Sequence, residues 1–205
     1  MITIVDYGLG NIGAFVNVYK RLNIDVKVAR ENNQLTDASK IILTGVGSFD
    51  YAMSQLNKSG MRQELEKLVL EERIPVLGIC VGMQMLANKS DEGKMSGLGW
   101  IDGHVRLFKR DSLPLNAPLP HMGWNNVMMV RTDSGITKGF DNESRFYFLH
   151  SYYFDCSCAE DIVCETNYGG NFTSMVNKEN IYGVQFHPEK SHQSGVRLLY
   201  NFATL

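Results

Sequence analysis

Residues 75–87 read Pro75-Val76-Leu77-Gly78-Ile79-Cys80-Val81-Gly82-Met83-Gln84-Met85-Leu86-Ala87. The first part, Pro75 to Ile79, is apolar, as expected for a strand that a parallel sheet buries on both faces. The last part, Met83 to Ala87, has a helical pattern. Between them, the segment 78–82 has the form of a nucleophile elbow, with cysteine in place of the usual serine. We therefore predict a parallel α/β fold with Cys80 at a helix N-terminus, where the thiolate is favoured.

Strand and helix patterns alternate on the N-terminal side of this stretch. Apolar or alternating runs predict the strands Ile2–Asp6, Asp25–Ala29 and Ile41–Leu43. Helical spacing of apolar residues predicts the helices Ile12–Leu22, Phe49–Leu56 and Met61–Glu72. Such alternation is typical of a parallel sheet with helices on both faces.

From about Gly97 the pattern changes to short strands and turns. The predicted strands here are Val105–Phe108, Asn126–Val130, Arg145–His150, Ile162–Glu165 and Tyr182–Phe186. They indicate an antiparallel extension of the sheet. The segment Asp111–Pro120 contains three prolines and predicts a loop, and His192–Ala203 predicts a final helix. We expect residues 1–205 to form one domain.

Composition narrows the classes of partner. The chain has 205 residues, 44% of them apolar, and a net charge of -2 with a pI near 6.2. This balance gives no long-range attraction to nucleic acid or to anionic lipid, so a small molecule or another protein is the expected partner. The longest apolar run, Ile74–Ala87, is shorter than the ~20 residues of a membrane span. With no export signal at the start, we expect a cytoplasmic protein.

The four cysteines are expected to be reduced thiols, because the chain carries no sign of export. Cys156-Ser-Cys158 followed by Cys164 leaves zinc as an alternative, but the segment lacks two paired Cys-x-x-Cys arms. We expect no metal and no cofactor.

A second alternative lies at the N-terminus. Gly8-Leu9-Gly10-Asn11-Ile12-Gly13 matches the dinucleotide-binding pattern between a strand and a helix. Glu31, after the second strand, is a possible ribose ligand. The same glycines also suit a tight turn and close packing of a helix on a strand, so the motif leaves both interpretations open.

A nucleophilic cysteine needs a base and a group that orients the base. Gln185-Phe186-His187-Pro188-Glu189 supplies an imidazole and a carboxylate at the end of the last predicted strand. Val81 can donate its backbone N–H to an oxyanion, and the glycine-rich turn 44–49, through Gly47, can provide a second donor. Four other histidines are candidates for structural roles: His104, His121, His150 and His192.

Gly-Ile-Cys-Val-Gly-Met-Gln at 78–84 and His-Pro-Glu at 187–189 resemble the class I, triad-type glutamine amidotransferases over essentially the whole chain. The resemblance implies a flavodoxin-like fold with a parallel-centred mixed sheet. It also implies hydrolysis of glutamine to glutamate and ammonia. In that reaction Cys80 forms a γ-glutamyl thioester, His187 moves protons and Glu189 orients His187. The residues that would hold glutamine are Gly47, Gln84, Ser151 and Tyr152.

Within that class, several segments are similar to the glutaminase subunits of imidazole glycerol phosphate synthases, most specifically Pro-His-Met-Gly-Trp-Asn at 120–125. Such subunits form a heterodimer with a β/α-barrel cyclase, through which ammonia reaches its acceptor. The residues that the resemblance places at the partner interface are Asn11, His121, Trp124, Asn125, Tyr147 and Lys190.

Two substitutions depart from the family pattern, since Thr44 stands where proline is usual and Val81 where leucine is more common. They leave the acceptor open between histidine biosynthesis and amino or amidino sugars of surface polysaccharides. A scaffold protein whose triad is never activated is a third alternative.

Overall fold

The computed structural model describes residues 1–115, 117–141 and 143–205. Asn116, inside the predicted loop Asp111–Pro120, lies outside these ranges. Within them, the helices are all too short or too polar to cross a membrane.

The strands in chain order are β1 Ile2–Val5, β2 Val26–Ala29, β3 Lys40–Gly45, β4 Val76–Cys80, β5 Lys89–Ser90, β6 Gly103–Leu107, β7 His121–Asn126, β8 Met128–Met129, β9 Arg145–His150, β10 Tyr152–Cys156, β11 Ile162–Asn167, β12 Asn171–Lys178 and β13 Ile181–Val184. The helices are α1 Ile12–Arg21, α2 Phe49–Lys58, α3 Arg62–Glu66, α4 Val81–Gln84 and α5 His192–Thr204.

Parallel strands in the order β2-β1-β3-β4-β13 form the centre of the main sheet. This is the 2-1-3-4-5 order of a flavodoxin-like sheet, so the predicted fold class is confirmed. β4 lies between β3 and β13, and all five of its residues are buried. Because parallel strands end at a common edge, the residues that follow β3, β4 and β13 meet at one place.

Helices cover both faces of this centre. A Cβ on Gly78 would meet the backbone of Gly82 and Met83 in α4, whereas the adjacent Ile79 lines a small cavity with Phe15 of α1. Neighbouring residues of a strand point to opposite faces, so α1 and α4 lie on opposite sides of β4. α5 packs with α1, and α2 packs with α4.

Beyond β13 the strands pair antiparallel, as predicted, except that the last strand, β5, pairs parallel with β6. β12 pairs with β13 and with β11, and the sheet continues through β10 and β6 to β5. β7 and β9 form a separate antiparallel ribbon in which His121 lies opposite His150 and Trp124 opposite Tyr147. This ribbon lies next to the segment that follows β13, because His187 N–H donates to the Tyr147 carbonyl at 2.8 Å.

Some predicted bounds are wrong for identifiable reasons. The helix predicted over Met83–Ala87 ends at Gln84, since the carbonyls of Met85, Leu86 and Ala87 accept hydrogen bonds from the segment 98–101. The strand predicted over Asn126–Val130 is divided between β7 and β8, because the N–H of Val127 donates to Ser144 instead. The helix predicted over Met61–Glu72 is α3 followed by a π-helical turn, Lys67–Glu71.

Candidate active site

Cys80 ends β4 in a conformation that few residues adopt. Its φ of 56° and ψ of -113° lie in a region that is uncommon for any residue with a side chain. A close approach of the backbone holds the turn, because a Cβ on Gly82 would lie 2.0 Å from the Leu43 carbonyl of β3. Cys80 is only 5% exposed. The local geometry is that of the predicted nucleophile elbow.

His187 and Glu189 follow β13 at the same edge of the sheet. Nδ1 of His187 lies 3.0 Å from Oε1 of Glu189, and both side chains are almost fully buried. The backbone between them is fixed by Ser191, whose hydroxyl donates to the His187 carbonyl at 2.6 Å. That hydroxyl also accepts the N–H of Tyr147 at 2.9 Å. The structure therefore brings the two predicted residues together and ties them to the β7–β9 ribbon.

The charges around His187 favour its protonated form. Burial lowers the pKa of His187. The neighbouring Cys80 and the Glu189 carboxylate raise it by more than burial lowers it, so the pKa lies well above its ordinary value. Nε2 of His187 is buried and lies outside hydrogen-bond geometry with any group in the described ranges, although Cys80 is close enough to act on the imidazole. The protonated imidazole can therefore pass its Nε2 proton to a reacting group.

The predicted help from a helix dipole is small. α4 has only four residues, so few peptide dipoles add at its N-terminus beside Cys80. The imidazolium of His187 is the more important positive charge near the thiol.

Gln185 is a site residue that the sequence analysis quoted without assigning a role. Its side chain is fully buried, and its Nε2 lies 3.9 Å from Sγ of Cys80. Gln84 orients it, because Nε2 of Gln84 donates to Oε1 of Gln185 at 3.0 Å. The amide N–H of Gln185 thus faces the sulfur and can stabilise negative charge there. Its position two residues before His187, on the same strand end, was the available signal.

The turn after β3 lies beside the nucleophile. Gly45 is in register with Cys80, and Gly47 has a φ of 86°, which only glycine adopts readily. Val46 between them is 40% exposed. Backbone amides of this turn can therefore approach a ligand at Cys80, and the role of Gly47 as second oxyanion donor stays a prediction.

A cavity of about 350 Å³ opens on Cys80. Its lining includes the predicted residues Gly47, Gln84, Ser151, Tyr152 and His187. A larger groove, of about 1160 Å³, lies between α1 and α5. That groove includes Glu189 and Lys190 but reaches neither Cys80 nor the turn after β3, so we take the smaller cavity as the substrate site.

Glu92 also lines the cavity and was missed in the sequence. Its Oε2 accepts the N–H of Phe49 at 2.8 Å, which holds the carboxylate at the start of α2. Glu92 lies in no recognisable motif, and only the fold brings it to the cavity. It supplies a negative charge that suits a cationic group of a ligand.

Of the residues predicted at a partner interface, Lys190 lines the cavity, and Trp124 and Tyr147 lie opposite each other in the β7–β9 ribbon. Trp124 is 39% exposed and stacks on His192, with ring centroids 4.9 Å apart. Lys190 lies over the Tyr147 ring, 5.7 Å from its centroid, and also lines the cavity. Asn11 is exposed and Asn125 half-buried.

His121, also predicted at the interface, is 3% exposed, and its ring stacks on Phe148 and Tyr168. Its ring therefore cannot itself touch a partner in this conformation.

The N-terminal glycines have a packing role that needs no nucleotide. A Cβ on Gly10 would lie 2.0 Å from Oγ1 of Thr44, which itself donates to the Leu9 carbonyl at 3.2 Å. The hydroxyl of Tyr7 donates to the Thr44 carbonyl at 2.6 Å. The glycine turn is thus packed directly on Thr44, the first residue of the turn 44–49.

Comparisons with known proteins identify the family of the chain. A sequence model of the family described as "Glutamine amidotransferase class-I" matches residues 3–204. The imidazole glycerol phosphate synthase subunit HisH of Bdellovibrio bacteriovorus is 56% identical over 205 residues, which is 100% of both chains. The HisH subunit of Leptospira borgpetersenii is 49% identical, again over 100% of both chains.

Solved structures show the same fold at lower identity. The chain aligns with the structure of PurLQS from Thermotoga maritima at a TM-score of 0.70 and 15% identity. The alignment covers 99% of this chain and 97% of that one. By its sequence relatives and its fold, the chain belongs to the class I glutamine amidotransferases and, within them, to the HisH family of imidazole glycerol phosphate synthase subunits.

Proposed function

We propose that this chain hydrolyses L-glutamine to glutamate and ammonia, and passes the ammonia to a β/α-barrel cyclase that makes imidazole glycerol phosphate and AICAR in histidine biosynthesis. The observation that carries the proposal is that Cys80 and His187 line one cavity of about 350 Å³, while Glu189 holds Nδ1 of His187 from behind at 3.0 Å. The identity of 56% to a HisH subunit over the whole chain supports the choice of pathway.

The cavity geometry suits acyl transfer through a thioester. The Cys80 thiolate attacks the side-chain amide carbon of glutamine, and the carbonyl electrons move onto oxygen, where the N–H groups of Val81 and Gly47 stabilise them. His187 donates its Nε2 proton to the former amide nitrogen of the intermediate, the C–N bond breaks, and the nitrogen leaves as ammonia, which gives the thioester. Water, deprotonated by His187, attacks the thioester and releases glutamate. Glu189 keeps Nδ1 of His187 protonated and the ring oriented throughout.

Glutamine would lie with its amide at Cys80 and its amino-acid end toward the cavity mouth. Glu92 would receive the α-ammonium group, because its carboxylate is the one that lines the cavity among the described residues. Ser151 and Tyr152 would hold the remainder of the substrate, and Gln84 would act indirectly. Both amide protons of Gln84 are engaged, one with the Tyr152 carbonyl and one with Gln185, each at 3.0 Å.

The partner would dock on the face formed by Asn11, Trp124, Asn125, Tyr147 and Lys190, in a heterodimer. Free ammonia is protonated in bulk water, so efficient transfer requires a path closed from solvent. Lys190 is suited to mark the exit, because it reaches from the cavity to the exposed ribbon. We further propose that residues 1–205 act as one cytoplasmic glutamine amidotransferase domain, in keeping with the family match over residues 3–204.

The test is glutamate release by the purified chain, alone and then with a cyclase barrel together with its nucleotide ligand. We expect stimulation by the barrel and its ligand, and loss of release in Cys80→Ser with the complex still formed. Cys158→Ser, at an exposed cysteine remote from the cavity, is the matched control and should behave as the unmodified chain.

Three results would contradict parts of the proposal. Glutamate release that survives in Cys80→Ser would remove Cys80 as nucleophile. Basal release without stimulation would favour a sugar-modifying partner over the cyclase. Binding of the cyclase with no glutamate release under any condition would favour the scaffold alternative.

A further inference from the structure

His121 and His150 lie opposite each other in the β7–β9 ribbon and face inward. Nδ1 of His121 lies 3.1 Å from Nε2 of His150. The two residues are 3% and 6% exposed. Tyr168 and Phe148 stack on His121, with ring centroids 3.9 and 4.8 Å away. The mechanism proposed above uses neither imidazole, yet two buried polar rings in direct contact require an explanation.

At the end of the pair near the cavity, the hydrogen bond between His150 and Tyr152 can have only one direction. Nδ1 of His150 lies 2.8 Å from the carbonyl oxygen of Tyr152, which can only accept a hydrogen bond. Nδ1 of His150 must therefore carry a proton. If the ring is neutral, its Nε2 has a lone pair and accepts, so Nδ1 of His121 must carry the proton that is shared between the rings.

At the other end of the pair, the contact between Asn125 and His121 independently gives the same direction of donation. A neutral His121 with a proton on Nδ1 has a lone pair on Nε2, and Nδ2 of Asn125 lies 3.3 Å from it. The amide orientation of Asn125 is set by two further contacts. Its Nδ2 donates to the Asn167 carbonyl at 3.0 Å, and its Oδ1 accepts the N–H of Asn126 at 2.9 Å. Asn125 thus presents a donor to His121.

Both rings are held neutral by their surroundings. Burial lowers the pKa of His121 to about 4. Burial also lowers the pKa of His150 to about 3, and the neighbouring His121 and His187 oppose a positive charge on it, although its hydrogen bond to Tyr152 acts the other way. A proton added to His150 would place two donors face to face, because Nδ1 of His121 already carries one.

The relay ends at the wall of the substrate cavity. The Tyr152 carbonyl accepts from Nδ1 of His150 and also from Nε2 of Gln84, the residue that orients Gln185 toward Cys80. Two donors therefore fix this peptide group, and His150, Ser151 and Tyr152 all line the cavity. The loss of either donor would loosen this wall without removing a group that takes part in the chemistry.

We propose that His121 and His150 form a one-way hydrogen-bond relay of neutral Nδ1–H tautomers, which runs from Asn125 to the Tyr152 carbonyl and positions the glutamine-binding wall. The tautomer assignment stands on the hydrogen-bond geometry alone, whereas the effect on glutamine rests on the proposed glutaminase function. His121 and His150 are positioning residues, because neither needs to touch the substrate.

The tautomers can be read directly from long-range ¹H–¹⁵N correlation spectra of the full chain at neutral pH. The chain has five histidines, and we expect two of them to show the pattern of a ring protonated at Nδ1 only. His121→Asn and His150→Asn should each remove one of these two signal sets, whereas His104→Asn, in β6, should leave both. Protonation at Nε2, or an imidazolium at either position, would overturn the relay.

The positioning role is tested by the affinity for L-glutamine, measured calorimetrically in a Cys80→Ala background that cannot turn over. In His150→Phe the ring packs in the same aromatic surroundings but has no donor, and we expect Kd to rise about tenfold, as for loss of one hydrogen bond. In His150→Asn, whose Nδ2 takes the place of Nδ1, Kd should stay within about twofold.

The two measurements separate the possible failures. An equal loss of affinity in His150→Phe and His150→Asn, or none in either, would overturn the positioning role. Failure of the Cys80→Ala chain to bind glutamine at all would contradict the proposed function, while the tautomers would still decide the relay. If His150→Phe does not fold, the spectra of the unmodified chain still test the tautomers of His121 and His150.

Discussion

The parallel strands around Cys80 and the β7–β9 ribbon differ in how they use their side chains. β1 and β4 are buried along their whole length, whereas β7 alternates, with Met122, Trp124 and Asn126 exposed and the ring of His121 buried. The parallel part fixes the reacting groups by close approach of backbones. The ribbon links an exposed face to the substrate cavity through hydrogen bonds. Substitutions in the parallel part should therefore affect catalysis, and substitutions in the ribbon should affect ligand binding.

The largest effect should come from the parallel part, at the carboxylate that follows β13. In Glu189→Gln the imidazole of His187 loses its charged partner and its fixed tautomer, and we expect kcat for glutamine hydrolysis to fall about 10³-fold. KM should change little, because Glu189 does not touch the substrate. Steady-state kinetics with Glu143→Gln, at an exposed site, as control would measure this. An unchanged kcat would mean that another group orients His187.

The next largest effect concerns the backbone approach at the elbow. In Gly82→Ala the added Cβ would lie 2.0 Å from the Leu43 carbonyl, so β3 and α4 must separate. We expect the free energy of unfolding to fall by about 3 kcal/mol. Thermal unfolding followed by circular dichroism would measure it.

Gly13→Ala is the matched control for that substitution. Gly13 lies in the first turn of α1, where an added Cβ has no neighbour within 4 Å. We expect a gain of up to about 0.5 kcal/mol in unfolding free energy, because alanine favours the helix. The substitution also destroys the Gly-x-Gly-x-x-Gly pattern, so a large loss of function in Gly13→Ala would revive the dinucleotide interpretation.

The site residues of the parallel part could be predicted from the sequence, whereas the histidine pair of the ribbon could not. Cys80, His187 and Glu189 were predictable because local pattern determines each of them: a buried strand, flanking glycines, and an imidazole followed by a carboxylate. The relay could not be predicted, because His121 and His150 meet only through the register of β7 with β9. β12 was missed for a related reason. It buries Thr173 and Ser174, so its sequence lacks the apolar alternation of a strand.

The ribbon should also be the part that is sensitive to acid. The folded state holds the pKa of His121 at about 4, below the ordinary value of 6.5. Between pH 6.5 and 4 the unfolded chain therefore binds more protons, and folding stability falls as the pH is lowered through this window. The contribution of this histidine is about 2–3 kcal/mol.

His121→Asn isolates that contribution, because asparagine keeps a donor toward His150 but does not titrate. Urea unfolding at pH 6.5 and at pH 4 should show a smaller loss of stability in this variant than in the unmodified chain. Carboxylates that titrate in the same range are common to both chains and cancel in the comparison. Parallel pH dependences would mean that His121 is not held neutral by the fold.

A smaller effect on catalysis than that of Glu189→Gln is expected at Glu92, whose carboxylate reaches the cavity from outside both regions. Glu92→Gln keeps an oxygen that can accept the Phe49 N–H and removes only the charge. We expect KM for glutamine to rise about tenfold with kcat nearly unchanged, because the charge binds ground state and transition state alike. Glutaramate, which is glutamine without its α-amino group, provides the internal control. The variant and the unmodified chain should hydrolyse glutaramate with equal kcat/KM, since no ammonium is present for the carboxylate to bind. A tenfold difference that persists with glutaramate would mean that Glu92 acts through the turn before α2 rather than on the substrate.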